Sequence, residues 1–208
     1  MLAVAGAVTA YYEIRPFFVS GPSIEEKLAA LTLRDLEPGP SELSHRSVLD
    51  DCYRSLDSIA ARASPPAAWQ HLLQRCEDLA VGMTAAGPAN SYAWLVGAVV
   101  AAEKGEVDEL NRKLLASQAT APSEGWLAQL RVRLAEEHLQ SLDEAAQTAH
   151  RSDLELLVFS NRGLPDLVSR YLEDPAFRSR MTRIVEDMPA AAQSRFIAAV
   201  RRAGKVSS

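Results

Sequence analysis

The residues best placed to react with each other in this chain are its two cysteines. Cys52 lies 12 residues before Ser64 and Cys76 lies 12 after it. Ser64 belongs to Ala63-Ser64-Pro65-Pro66, a turn between two stretches whose apolar residues recur at helical spacing. Equal distances from the turn of an antiparallel hairpin put two residues at one height, and both cysteines fall on the apolar stripe facing the other helix. The spacing predicts a Cys52–Cys76 disulfide. Closing a loop of about 25 residues would stabilise the fold by about 3 kcal/mol on a chain-entropy basis. Such bonds persist in oxidising compartments. The competing reading is a pair of small core thiols in a cytosolic protein. With no CxxC and no histidine nearby, the two thiols do not make a tetrahedral set, and no metal ligand is assigned.

The remaining reactive groups are scattered. His45, His71, His138 and His150 stand far apart in sequence, and none belongs to HExxH or another ligand spacing. Carboxylates cluster at Asp50/Asp51, at Glu106 through Glu109 and at Glu136/Glu137, where helix starts or exposed faces account for them. Glycosidase chemistry needs two carboxyls held across a cleft, which sequence neighbours do not supply. GxSxG, a phosphate-cradling glycine loop and a Rossmann fingerprint are all absent. No catalytic residue and no cofactor is therefore assigned. An enzymatic reading stays open in one form, a lyase or hydrolase acting on a glycan through His138 or His150 beside a carboxylate.

The elements that would position these groups are helices. Pro88 cannot continue a helix, whereas Asn90 and Ser91 can cap a new one running to Lys104. Gly105 ends it, and Glu106, Asp108 and Glu109 sit in the first turn of a second helix carrying Leu110, Leu114 and Ser117 on one stripe. Pro88 and Pro122 are 34 residues apart, the period of a tetratricopeptide repeat. Laid on that pattern, the repeat core is Trp94, Gly105, Leu110, Leu114 and Pro122. Gly97, Ala101, Leu110 and Ser117 depart from it, so an ordinary antiparallel helix pair is the alternative. The fold class expected is all-α, with antiparallel hairpins stacked as a short tetratricopeptide-like solenoid.

Residues 1–20 form an apolar segment, MLAVAGAVTAYY followed by EIRPFF. Twelve helical residues extend about 18 Å, short of a hydrocarbon core of roughly 30 Å. The segment reads either as the outer part of a truncated membrane anchor, with Tyr11, Tyr12, Phe17 and Phe18 at the surface, or as a first helix packed on the core. Residues 21–40 hold a short helix opened by Ser23 and Glu26 at capping-box spacing and ending near Asp35, then the breaker run Glu37–Pro40 as the expected boundary. Residues 41–203 form the helical-repeat body. It begins with a helix from Ser41 to Arg62 and its partner from Pro66 to Thr84. A helix over Pro122–His138 follows, then one bent or two shorter pieces over 143–159, with LELLVF kept helical for want of a partner strand. Further helices open at Gly163, Asp174 and Pro189, and residues 204–208 are read as a disordered tail.

The formal net charge of −5 argues against a nucleic-acid surface, and no nucleic-acid partner is expected. Arg178, Arg180, Arg183, Arg195, Arg201 and Arg202 nonetheless make the C-terminal end basic. They read as a solvated face beside Glu186 and Asp187, or as contacts for an anionic partner.

The passage SYAWLVGAVVAAEKGEVDELNRKLLASQATAPSEGWLAQLRVRLA resembles a group of largely uncharacterised tetratricopeptide-like proteins of alphaproteobacteria. The resemblance is carried by Tyr92-Ala93-Trp94, by the run from Ser117 to Trp126, and by Arg131. The apolar N-terminus and the Cys52/Cys76 pair are similar to what that group carries. The resemblance implies an accessory protein of surface-polysaccharide assembly, anchored in the inner membrane and facing the periplasm. The expected function is a non-enzymatic scaffold that holds proteins of that machinery on its helical surface, with Tyr92, Asn111, Arg112, Glu124 and Arg131 as partner-binding residues chosen for polarity. The alternative is a cytoplasmic helical adaptor or regulator with free thiols.

Overall fold

The computed structural model describes residues 2–33 and 36–206. Among these are twelve α-helices, a single 3-10 turn at Leu139–Ser141 and no strand, so the all-α hairpin architecture expected from periodicity holds. The helices are α1 (Leu2–Ser20), α2 (Ile24–Leu33), α3 (Glu42–Leu56), α4 (Ile59–Arg62), α5 (Pro66–Ala86), α6 (Ser91–Lys104), α7 (Val107–Thr120), α8 (Gly125–Glu137), α9 (Glu144–Phe159), α10 (Gly163–Glu173), α11 (Pro175–Asp187) and α12 (Ala190–Val206). They form two compact units, Met1–Ser117 and Gln118–Ser208, and the division falls within the last turn of α7.

In the first unit, α3 and α5 pair and α6 packs on both. The single helix expected from Ser41 to Arg62 is broken at Asp57-Ser58. The Ser58 hydroxyl accepts from the Ala61 amide at 3.1 Å, capping the one-turn α4 at the point where α3 stops. A serine can compete with the helical ladder in this way. The hairpin register survives the break. Cys52 and Cys76 are bonded, with Cα atoms 5.7 Å apart, and both are fully buried.

The hairpin of α6 and α7 turns at Gly105, whose φ of 73° lies in the left-handed region that glycine tolerates. Its amide donates back to α6, and Leu110 and Leu114 are buried. The Ser91 hydroxyl donates to the Ser117 carbonyl at 2.6 Å, joining the open ends of the pair. A Cβ added at Gly97 would lie 3.3 Å from Lys113 Cδ and press on that side chain. The glycine thus makes room for a buried lysine whose Nζ lies 3.4 Å from Glu109. Two residues placed in the repeat core sit elsewhere. Trp94 is half-buried, its indole N–H donating to the Pro88 carbonyl at 2.8 Å, and Pro122 is exposed in the turn before α8. Bulk and spacing placed Trp94 inside, but its polar N–H finds its acceptor at the helix mouth.

The N-terminal helices belong to this unit. The Glu13 carboxylate accepts from the Ser41 amide at 2.6 Å, and Asp51 of α3 takes both the Ser20 hydroxyl and the Lys27 ammonium. Ser23 and Glu26 cap each other reciprocally at 3.0 and 3.1 Å, as their spacing predicts. The run Glu37–Pro40 is a close crossing over α1. A Cβ on Gly39 would lie 2.7 Å from the Glu13 Cα, and the division between units falls about Ser117 instead of at Pro40. The expected end of the second helix near Asp35 lies outside the described residues. No helix among the described residues is long and apolar enough to cross a membrane. On α1, Tyr11, Tyr12, Ile14, Phe17 and Phe18 are exposed, Phe18 by 80%.

In the second unit, α8 and α9 form a hairpin, α10 packs on α9, and α11 and α12 close over α10 and α9. Leu154, Leu157, Val158, Leu167, Phe177 and Met181 lie at the centre of its core. The Asp143 carboxylate accepts from the Ala146 amide at 2.7 Å, so residues 144–159 run as one helix. Asp174 caps α11 through the amides of Ala176 and Phe177, which hold its carboxyl below the ordinary range. The terminal helix continues to Val206, through residues expected to be a disordered tail. Lys205 in its last turn suits the negative end of the helix dipole, and residues 207–208 lie outside the described ones.

Candidate functional site

The five residues expected to meet a partner do not form one surface. Arg112 and Glu124 are exposed, whereas Tyr92, Asn111 and Arg131 are buried and are corrected here to interior positions. The Tyr92 hydroxyl points to Asp50 at 3.4 Å, and burial, then the Asp50 charge, push its phenol well above the ordinary tyrosine range. The Asn111 amide donates to the Val107 carbonyl one turn back at 3.0 Å. Arg112 is held by Glu109, whose carboxyl its hydrogen bond lowers to about 2, and it stacks 5.5 Å from the Trp94 ring centroid.

Arg131 meets Asp153 through Nε and Nη2, each at 2.7 Å, and Nη2 also donates to the Ala121 carbonyl at 3.3 Å. Burial raises the Asp153 carboxyl, and the arginine opposes it. Beside this pair, one Glu136 oxygen bonds His150 Nε2 at 2.8 Å while the other faces the guanidinium of Arg180, with Arg170 at 3.6 Å. Burial alone would raise the Glu136 carboxyl, but the His150 hydrogen bond and the neighbouring positive charges hold it below its ordinary value. Arg170 and Arg180 also lie over the Phe177 ring, at 5.4 and 5.8 Å from its centroid.

A histidine paired with an acid is what a glycan-cleaving reading would need. Here the side chains of Glu136 and His150 are 1% and 7% exposed, and neither lines the two cavities described below. Glu136 and His150 are buried between α8 and α9, and the partly exposed Arg170 and Arg180 join them to α10 and α11. His138 ends α8 as its C-terminal cap. Among the described residues no cluster of three or more histidine, cysteine or carboxylate side chains could hold a metal ion.

An open feature of the second unit is a groove of about 750 Å³ between α10 and α12. Leu164, Val168 and Leu172 recur every fourth residue along α10, and Ala199 and Ala203 face them from α12. Arg195 closes one end, donating to the Val158 carbonyl at 2.9 Å and to Asn161 Oδ1 at 2.7 Å. Arg202 stands exposed on the α12 wall. A smaller cavity of about 260 Å³ in the first unit is lined by His45, Arg75, Asp78 and Met83. Sequence reading missed the groove, because apolar residues at helical spacing look the same whether the stripe is covered or open.

No protein-family model, curated protein or solved structure matches the chain.

Proposed function

We propose that this protein is a non-enzymatic adaptor of the cell envelope that holds a protein partner in the groove between α10 and α12. The observation that carries this reading is the groove itself, an open concavity with an apolar floor set between two helices, a form suited to extended or helical segments of another protein. The ionic groups that could have served catalysis are instead neutralised by one another inside the second unit. The Cys52–Cys76 bond supports an oxidising compartment, hence the periplasmic side of the inner membrane. The exposed aromatic face of α1 supports contact with the membrane surface, where tyrosine and phenylalanine rings are well accommodated. The resemblance noted in the sequence makes proteins of polysaccharide assembly or export the first partners to test.

A photo-crosslinking amino acid at Ser169, an exposed position on the rim of the groove, tests this in living cells. The expected result is a discrete crosslinked complex containing a protein of the polysaccharide machinery. Folded protein that crosslinks to nothing from Ser169 would overturn the reading. Thiol labelling of chain taken from its own cells is expected to require prior reduction. Labelling without reductant would move the protein to the cytoplasm.

A further inference from the structure

We infer that the groove between α10 and α12 accepts an amphipathic helix whose apolar stripe is flanked, on the side facing α12, by carboxylates. This rests on the docking reading above and adds the chemistry of the occupant. The floor of the groove sets its first requirement. Leu164 and Val168 of α10 lie at its bottom, 5% and 3% exposed, and the half-buried Leu172 with Ala199 and Ala203 of α12 supplies its open apolar surface. A guest helix carrying leucine-sized residues at the period of the α10 stripe would lay them over Leu172 and the short alanine side chains, as ridges fit grooves between packed helices. α10 is eleven residues long, which sets a guest of about three turns and about 16 Å.

The walls set its second requirement. α12 carries Arg195, Arg201, Arg202 and Lys205 and no carboxylate, in a chain whose formal net charge is −5. Arg195 is spent on the Val158 carbonyl and Asn161. Arg202 is exposed at the groove and pairs with no carboxylate among the described residues. The opposite wall differs. There Ser169 donates to Glu173 at 2.9 Å, and Glu173 is the acid that lines the groove from α10. The two sides of the groove therefore ask for different flanks, acidic toward α12 and neutral or basic toward α10. A nucleic acid or a lipid headgroup would satisfy Arg202 but leave the half-buried Leu172, Ala199 and Ala203 uncovered. A purely apolar helix would cover them and leave the arginine facing hydrocarbon.

The test uses the full chain with its disulfide intact and a displayed library of amphipathic helices in which a leucine stripe is fixed and the flanking positions vary. Selection is expected to enrich aspartate and glutamate on one flank. Fluorescence anisotropy with the best peptide should show binding weakened on the order of tenfold by Arg202→Glu, and regained by a peptide with lysines on that flank. Arg202 is exposed, and circular dichroism checks that the variant keeps its helices. The inference is overturned by a library that yields no binders or no acidic bias, or by a selected peptide indifferent to Arg202→Glu. It is also overturned if Arg202→Glu abolishes binding to phosphatidylglycerol vesicles that the peptide does not displace, or abolishes self-association of the chain. A Ser169 crosslink in cells without acidic bias in the library leaves docking standing and removes the acidic helix. Acidic bias without any crosslink keeps the groove's preference for an acidic helix and removes the protein partner in the cell.

Discussion

Arg131 grips Asp153 with two parallel hydrogen bonds of 2.7 Å while both side chains are at most 3% exposed, which ties α8 to α9 by a fully buried ion pair. Two buried charges repay their desolvation only while both are present. Removing one leaves the other stranded. Arg131→Met alone is expected to destabilise the protein by about 3–5 kcal/mol, whereas the Arg131→Met, Asp153→Leu double variant recovers most of that. Urea unfolding of the three proteins checks this. A single variant as stable as the parent would show that the charges are not desolvated.

Glu136 gives the fold an acid limit. Its carboxyl is held below its ordinary value of 4.5, so the stability it supplies is complete above that pH and is lost as pH falls through the lowered value. Asp153, raised by burial, contributes the opposite slope, which makes a difference measurement necessary. The stability gap between the parent and Glu136→Gln should be widest at about pH 6 and narrow steadily below about pH 4.5. Chemical denaturation at a series of pH values reads it. A gap that stays constant would mean that the hydrogen bond to His150 and the facing arginines do not favour the ionised form.

Reducing Cys52–Cys76, or replacing both cysteines by serine, should destabilise the first unit by about 3 kcal/mol. The bond restricts the unfolded chain, so the loss should appear in unfolding experiments with little change in far-ultraviolet dichroism under native conditions. Equal unfolding midpoints with and without reductant would contradict it.

Gly105→Ala isolates the backbone contribution, because nothing lies within 4 Å of the Cβ it would add. The cost is that of a left-handed conformation, about 1–2 kcal/mol. Gly105→Asn should cost less, since asparagine visits that region more readily. Thermal unfolding of the two variants ranks them. Alanine as good as glycine would show that the turn relaxes out of its positive φ.

The cysteine pair could be read because a turn and an apolar stripe fix the register of a hairpin even when one arm is interrupted at Ser58. Helix starts at Ser23, Asn90, Asp143 and Asp174 were equally legible, since their side chains cap nearby amides. Polarity predicts exposure for Tyr92, Asn111 and Arg131, but all three are buried with partners. Tyr92 and Arg131 find their carboxylates on other helices, 42 and 22 residues away, and pairing across such separations leaves no periodic trace. Glu136 reads as an outer-face residue for the same reason, yet it is buried against His150. The groove stayed hidden because Leu172 and Ala199 obey the same period as core residues. Arg202 was set beside Glu186 and Asp187, yet Asp187 is taken by Arg151 at 2.8 Å.

Asp51 accepts from Ser20 of α1 and from Lys27 of α2, and the next residue along α3 is Cys52. Tension applied to either N-terminal helix therefore reaches a covalent crosslink within one peptide unit. If α1 is held at a bilayer, a pull on it passes to α3 through Asp51 and through the Glu13–Ser41 contact, and α3 is bonded covalently to α5. Two carboxylates, Glu13 and Asp51, thus lash the N-terminal helices to the one helix of the first unit that carries a covalent brace.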